Sequence, residues 1–506
     1  MASPKFPEPP PSAPATSLET CDRILDALAQ KKDAWVALGC AERIALLQAC
    51  LETTVSAGEA WVRDACRAKG IDFESAHAGE EWLGGPMTLA RNLRLLVESL
   101  EHAGRPPIPA SWTRPDGQVI AHVFPDNTLD KLMFSGFTAE VWLEPGKPLT
   151  QGAIYRQKEA GAAPPGKVAL VLGAGNVASI GPMDALYKLF VEDEIVLIKT
   201  NPVNAYLGTH WENALRPLVD AGWVAIVHGG AEVGQHLTNH PLVDTIHITG
   251  SDRTHDMIVW GTDPEEQARR KAANDPINTR PISSELGCVT PVVVVPGQWS
   301  ASDIEFQARH VAAMMTNNAS FNCNAAKILV TSKTWPQRQQ FIDALHRVLA
   351  SMPSRKAYYP GARERYDGFV SHYPHAAPLT EDSEATLPWT VIPDVPADEG
   401  EYALTNEAFC GVLAQVDLDA ADPGAFLRAA TTFCNESCWG TLSMMMLIHP
   451  KEQKAYAADF DYAVANLRYG GIGINVWAGV IYGLVVTTWG AFPGHPLTDI
   501  RSGRGF

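Results

Sequence analysis

KVALVLGAGNVASIG, residues 167–181, is a short apolar run that ends in a glycine-rich turn. The run reads as a buried strand, and the turn carries Gly173, Gly175 and Ala178 at the spacing G-x-G-x-x-A. Glycines so spaced permit a tight turn and a close backbone approach to a pyrophosphate at a helix N-terminus. The unit recurs: EIVLIKT, WVAIVHGG and TIHITGS follow, each a buried-strand run, with helical stretches between them. Such alternation predicts a parallel sheet with helices on its faces. Ligands of these sheets bind at the carboxyl ends of the strands. Residues 173–176, 199–202, 228–230 and 249–251 are therefore expected along one rim.

A chain of 506 residues exceeds the size of one core and should divide into two or more domains. Its composition, 46% hydrophobic and 19% charged, is ordinary for an α/β protein. The net charge of −17 works against binding a phosphate backbone, so no nucleic acid is expected as a partner. Nine cysteines without framework spacing suggest a reducing, cytoplasmic compartment. The opening MASPKFPEPPPSAPATS lacks a basic region followed by an apolar core, and reads as a disordered proline-rich tail. INVWAGVIYGLVVTTWGAF is the longest apolar stretch, but its glycines and tryptophans fit a buried strand and turn, and no membrane is expected.

Residues 19 to about 100 have apolar positions three and four apart, the spacing of packing helices. GQVIAHVFP and AEVWLEPG then have strand-like composition, as a hairpin excursion. A second α/β block opens at TPVVVVPG and continues through a helix near 302–318, the strand AKILVT and an amphipathic segment. Residues 354–400, rich in proline, histidine and acidic residues, are expected to meander over the surface. The fold class is α/β: a Rossmann-like parallel-sheet domain (19–115 and 146–289), a hairpin (116–145), a second α/β domain (290–480) and a C-terminal segment (481–506), after a tail at 1–18.

Single residues say little. Glu285 could be a solvated carboxylate, Cys323 an inert core thiol, and Asn176 a residue that satisfies its own turn. Their order says more. Strands that end in GAGN, KTNP, HGG and TGS, then ELG, then an asparagine-rich turn with one cysteine, then NEAFCGVL, resemble the aldehyde dehydrogenase superfamily from about Glu19 onward. The family's ELGG stands here as Glu285, Leu286, Gly287 and Cys288; its G-Q-x-C as Ser320, Phe321, Asn322 and Cys323; its E-x-F-G-P as Glu407, Ala408, Phe409, Cys410 and Gly411.

The resemblance implies that the first domain binds a cofactor, NAD or NADP, and the second carries the nucleophile. It implies Cys323 as nucleophile, Glu285 as general base and Asn176 as a donor to a developing oxyanion. Lys199 would bond ribose hydroxyls, Gly230 and Gly234 would let a helix approach the adenosine, and Gly250 and Ser251 would start the helix that meets the pyrophosphate. Leu286 would line the cofactor site, Glu407 would hold the nicotinamide ribose and Phe409 would pack beside the ring or in the core. GAGN would then hold an oxyanion donor, with a phosphate loop at that turn as the other reading. The expected reaction is oxidation of a small-molecule aldehyde to a carboxylic acid. Acyl transfer to coenzyme A and a non-catalytic binding or structural role are the alternatives, and the glutamate base favours hydrolysis.

The departures are specific. Pro202 stands where NAD-preferring relatives often have a glutamate, so NADP is admitted; His255 and Cys288 replace glycines. The family implies a homo-oligomer, with 116–145 as an oligomerisation element, although the ending LTDIRSGRGF is shorter than that of relatives. Trp439, Trp477 and Trp489 are candidate entrance residues. His236 and His240 lie one helical turn apart without an evident third ligand, and Cys434 and Cys438 lack a second pair, so no metal is expected.

Overall fold

The computed structural model describes residues 6–420 and 422–505. Three sheets organise it. The first is built from the buried runs Val168–Leu172, Ile195–Lys199, Val224–Val227, Thr245–Thr249 and Ile282–Glu285, all parallel, with Val168–Leu172 central. The chain adds two strands on one side of that central strand and then two on the other, which opens a crevice at the carboxyl ends where the order reverses. At the edge, Gly503–Arg504 returns to pair antiparallel with Ser284 and Glu285. Gly503 has φ 122, and a side chain there would collide with the Ser284 carbonyl, so this last strand lies hard against the strand that ends in Glu285.

The second sheet has seven strands, in the order Ala377–Pro378, Thr390–Ile392, Val412–Leu418, Ile328–Ser332, Pro291–Val294, Ser443–Leu447 and Gly471–Ile474, with only the first antiparallel. The segment 354–400 is thus not a surface meander. It contributes the helix Ala362–His372 and the buried strand Thr390–Ile392, whose brevity hid it among prolines and acidic residues. The apolar stretch at 474–492 holds the end of a strand and the helix Gly479–Leu484. Among the described residues no single helix is long and apolar enough to cross a membrane; the pair Leu18–Ala37 and Cys40–Lys69 has the combined length and composition, but is bent by 119°.

The third sheet is antiparallel and begins earlier than expected: Ala110–Thr113 pairs with Val119–Phe124, which pairs with Ala139–Trp142. The exposed strand Ala110–Thr113 has no buried face to give it an apolar signature. Arg114 ties this excursion to the second domain through two bonds to Asp461, of 2.8 and 3.0 Å.

N-terminal helices back the first sheet. Leu18–Ala37 starts at Ser17, whose hydroxyl accepts from Thr20 N, and Cys40–Lys69 ends at Gly70 in the left-handed conformation. Trp35 and Trp61 are fully buried in this layer. In the proline-rich tail, Thr16 N donates to His228 O and His228 N donates to Thr16 Oγ1, so the tail's end lies against the rim.

Candidate active site

The turn that carries Cys323 is conformationally demanding. Asn318, Ala319 and Ser320 all have positive φ, of 52°, 54° and 70°, an unusual run for residues with side chains. The asparagines stabilise it. Asn318 Nδ2 lies 3.0 Å from Asn322 Oδ1 and 3.2 Å from the Phe321 carbonyl, its backbone N donates to Glu80, and its Oδ1 accepts from the Tyr358 hydroxyl. Asn322 Nδ2 reaches back to Asn317 Oδ1 at 2.9 Å. Beneath the turn, the Lys327 ammonium donates to the carbonyls of Asn322 and Cys323, both at 3.0 Å, and pairs with Glu407 at 3.1 Å.

Cys323 and Cys40 alone among the nine free cysteines are not fully buried. The Cys323 thiol donates to Glu285 Oε1 at 3.5 Å. Burial pushes the Glu285 carboxyl up to about 7; Asp184 adds to the rise, while Trp489, His247 and the thiol oppose it. The thiol is itself held well above its ordinary range, first by burial and then by the Glu285 and Glu407 charges, against Lys327. At rest the proton therefore stays on sulfur, with an acceptor in reach.

Asn176 belongs to the same cluster. Its Nδ2 donates to Phe321 O at 2.9 Å, two residues before the nucleophile candidate, and its carbonyl accepts from Lys69 at 2.9 Å and Asn318 at 3.0 Å. The rest of the GAGN turn is filled by protein. Gly173 N donates to Lys199 O, Ser179 N donates to Gly84 O, and a side chain at Gly175 would collide with Asn201 and Tyr359. The turn leaves little space for a phosphate.

The cofactor candidates spread along the rim. Lys199 ends its strand with a nearly buried ammonium that has no hydrogen-bond or ion-pair partner among the described residues, and burial lowers its pKa. Gly230 begins the helix Ala231–Asn239, and a methyl group built on Gly230 or Gly234 meets nothing within 4 Å. Gly250 N donates to Glu285 O, and Ser251 caps the helix Asp252–Trp260 by accepting from Thr254 N. Leu286 has a buried side chain, and its N donates to Ser502 O at 2.8 Å. Glu407 accepts from Cys288 N as well as Lys327, and approaches Gly287 so closely that a side chain there would clash. Phe409, at φ 42, packs against Phe321 and Tyr359, with Arg365 holding its carbonyl.

Several neighbours were not singled out from the sequence. Lys327, Asp184, His247 and Tyr482 all act on Glu285, Cys323 or their supports. A signal existed for His247 and Asp184: each is an ionisable residue between apolar neighbours, His247 in IHI and Asp184 in PMDAL. Of the candidate entrance tryptophans, Trp489 lies against Glu285, and Trp477 donates to Asn324 O at 2.9 Å. Trp439 instead supplies backbone groups behind Cys288.

The histidine pair does have a third neighbour, Asp22, which lies at 2.5 Å from His236 Nε2 and 3.4 Å from His240 Nε2. However, His240 Nδ1 accepts from Leu242 N at 3.2 Å, which leaves the imidazole proton on Nε2, facing Asp22. That nitrogen is a donor, not a ligand.

Residues 196–360 match the model of the aldehyde dehydrogenase family. Among solved structures, aldehyde dehydrogenase 21 from Physcomitrella patens in complex with the reaction product succinate is 13% identical, with 99% of this chain and 92% of that one covered at a TM-score of 0.65. A Mycobacterium tuberculosis aldehyde dehydrogenase complexed with NAD+ is 16% identical over 97% and 87% of the two chains, TM-score 0.64. An NADP-dependent glyceraldehyde-3-phosphate dehydrogenase from Bacillus halodurans C-125, complexed with NADP, is 16% identical over 92% and 84%, TM-score 0.62. Residues 196–360 thus match the aldehyde dehydrogenase family, and the fold over nearly the whole chain is similar to that of these aldehyde dehydrogenase structures. The aldehyde dehydrogenase match spans Lys199, Glu285 and Cys323, whereas Asn176 and Glu407 lie outside it and join the site only through the fold.

Proposed function

We propose that this protein oxidises an aldehyde to a carboxylic acid, with NAD or NADP, through a covalent intermediate on Cys323. The observation that carries the reading is the 3.5 Å contact between the Cys323 thiol and Glu285, with the Asn176 amide bonded to the Cys323 turn at Phe321 O. As sulfur attacks the carbonyl carbon, its proton passes to Glu285 and the S–C bond forms. The carbonyl oxygen becomes negative, and Asn176 Nδ2 and Cys323 N are the donors that hold it. A bound nicotinamide dinucleotide supplies the acceptor for the hydride that the thiohemiacetal then loses, leaving a thioester.

Glu285, once it has released its proton, takes one from water. The hydroxide adds to the acyl carbon, the C–S bond breaks and the acid departs. The residues present fit a dinucleotide: the Lys199 ammonium lacks a protein partner among the described residues, and the surface at Gly230 and Gly234 is open. Lys199, Gly230, Gly234, Gly250, Ser251 and Glu407 would hold it. Glu285 beside the thiol favours hydrolysis over transfer to coenzyme A.

Leu129, Leu132 and Met133, exposed on the helix Thr128–Met133, favour a homo-oligomer formed through this excursion. Free cysteines throughout fit a cytoplasmic setting. The test is an assay of short aliphatic, long aliphatic and aromatic aldehydes with NAD and NADP. Formation of reduced cofactor and free acid, lost in Cys323→Ser, supports the reading, and a requirement for coenzyme A would replace it with acyl transfer.

A further inference from the structure

Glu285 must shed protons during turnover, and the sheet beneath it carries a polar cluster that the scheme above does not use. Thr249 pairs with Glu285 across two parallel strands, and His247 pairs with Ser283 two residues earlier. Because side chains alternate along a strand, these four residues share one face. The helix Ile180–Phe190 covers that face and places Asp184 on it. Thr249 Oγ1 donates to Asp184 Oδ2 at 3.0 Å, His247 Nε2 lies 3.4 Å from the same oxygen, and His247 Nδ1 lies 2.9 Å from Ser283 Oγ. Asp184 and His247 keep 16% and 18% of their side chains exposed, so the cluster on the face beside Glu285 reaches solvent.

We infer that Asp184 and His247 are positioning residues that act through Glu285, an acid–base pair that sets the pH at which Glu285 becomes a base. This rests on the reading of Glu285 as the base for Cys323. The two act in opposite senses: the Asp184 charge favours the protonated carboxyl, and a cationic His247 favours the ionised one. The other groups that face Glu285 are the Cys323 thiol, the Tyr482 phenol, which bonds to Ser179, and the Trp489 indole; none of these carries a charge at neutral pH.

The experiment measures the rate of iodoacetamide alkylation of Cys323 against pH in the cofactor-free protein, with Cys323→Ser to subtract other thiols, alongside the pH profile of kcat/KM. Asp184→Asn is expected to move the acid-side midpoint down, and His247→Gln to move it up, each by about 0.5 to 1 pH unit. Opposite shifts are a signature that local misfolding would not produce, since damage lowers rates at all pH values. Midpoints unmoved in both variants, or moved the same way, overturn the inference. Glu285→Gln separates the two claims: loss of the inflection there supports Glu285 as base whatever its neighbours do, and an unchanged profile overturns that reading as well.

Discussion

The Cys323 sulfur and the Glu285 carboxylate, from the turn before the strand Ile328–Ser332 and the end of the strand Ile282–Glu285, meet at 3.5 Å. Neither group is at its ordinary acidity, and burial is the main cause for both. A thiol that keeps its proton until an acceptor takes it is protected from stray chemistry.

The same burial predicts a pH profile. A general base works only when ionised, so with Glu285 in the proposed role and its carboxyl raised to about 7, kcat/KM should fall as pH drops through about 7. A half-maximal rate near pH 4.5, that of a solvated glutamate, would contradict it.

Stability should respond in the opposite sense. The folded state keeps the Glu285 proton up to about pH 7, whereas the unfolded chain releases it near 4.5, so this residue's contribution is full below 4.5 and is lost as pH rises to 7. Glu285→Gln should therefore unfold at a higher temperature than the native protein at pH 8, by a margin on the order of 3 kcal/mol that closes by pH 4. Thermal unfolding at the two pH values checks this.

Lys327 holds two carbonyls of the Cys323 turn and pairs with Glu407. Lys327→Met should leave that largely buried carboxylate without its cation, which costs about 3 kcal/mol. The double variant with Glu407→Gln should regain part of this loss in denaturant unfolding, and additive losses would argue against coupling.

Gly234 faces open space in a helix, so Gly234→Leu should leave stability unchanged or raise it by up to about 1 kcal/mol. Its dinucleotide affinity should fall at least tenfold in a fluorescence titration. Unaltered affinity would move the adenosine site elsewhere.

What could be read from the sequence had a local signature. The buried runs at 168–172, 195–199, 224–227 and 245–249 declare themselves as strands, and turn residues mark their rim. The asparagines around Cys323 also stand out, and their role proves to be stabilising three left-handed residues. What escaped depends on residues far apart in the chain, such as Lys69 reaching the Asn176 carbonyl or Ser502 accepting from Leu286 N. Short strands escaped too: Ala110–Thr113 is exposed, and Thr390–Ile392 is three residues long. Asp184 and His247 acquire meaning only once helix and sheet are stacked.

The most direct test of Cys323 as nucleophile is mass spectrometry of Glu285→Gln after incubation with an aldehyde and NAD or NADP. With deacylation impaired, the acyl group of the aldehyde should accumulate on the peptide that contains Cys323, with about one equivalent of reduced cofactor. Reduced cofactor formed steadily with no adduct on that peptide, or an adduct on another cysteine, would contradict the account.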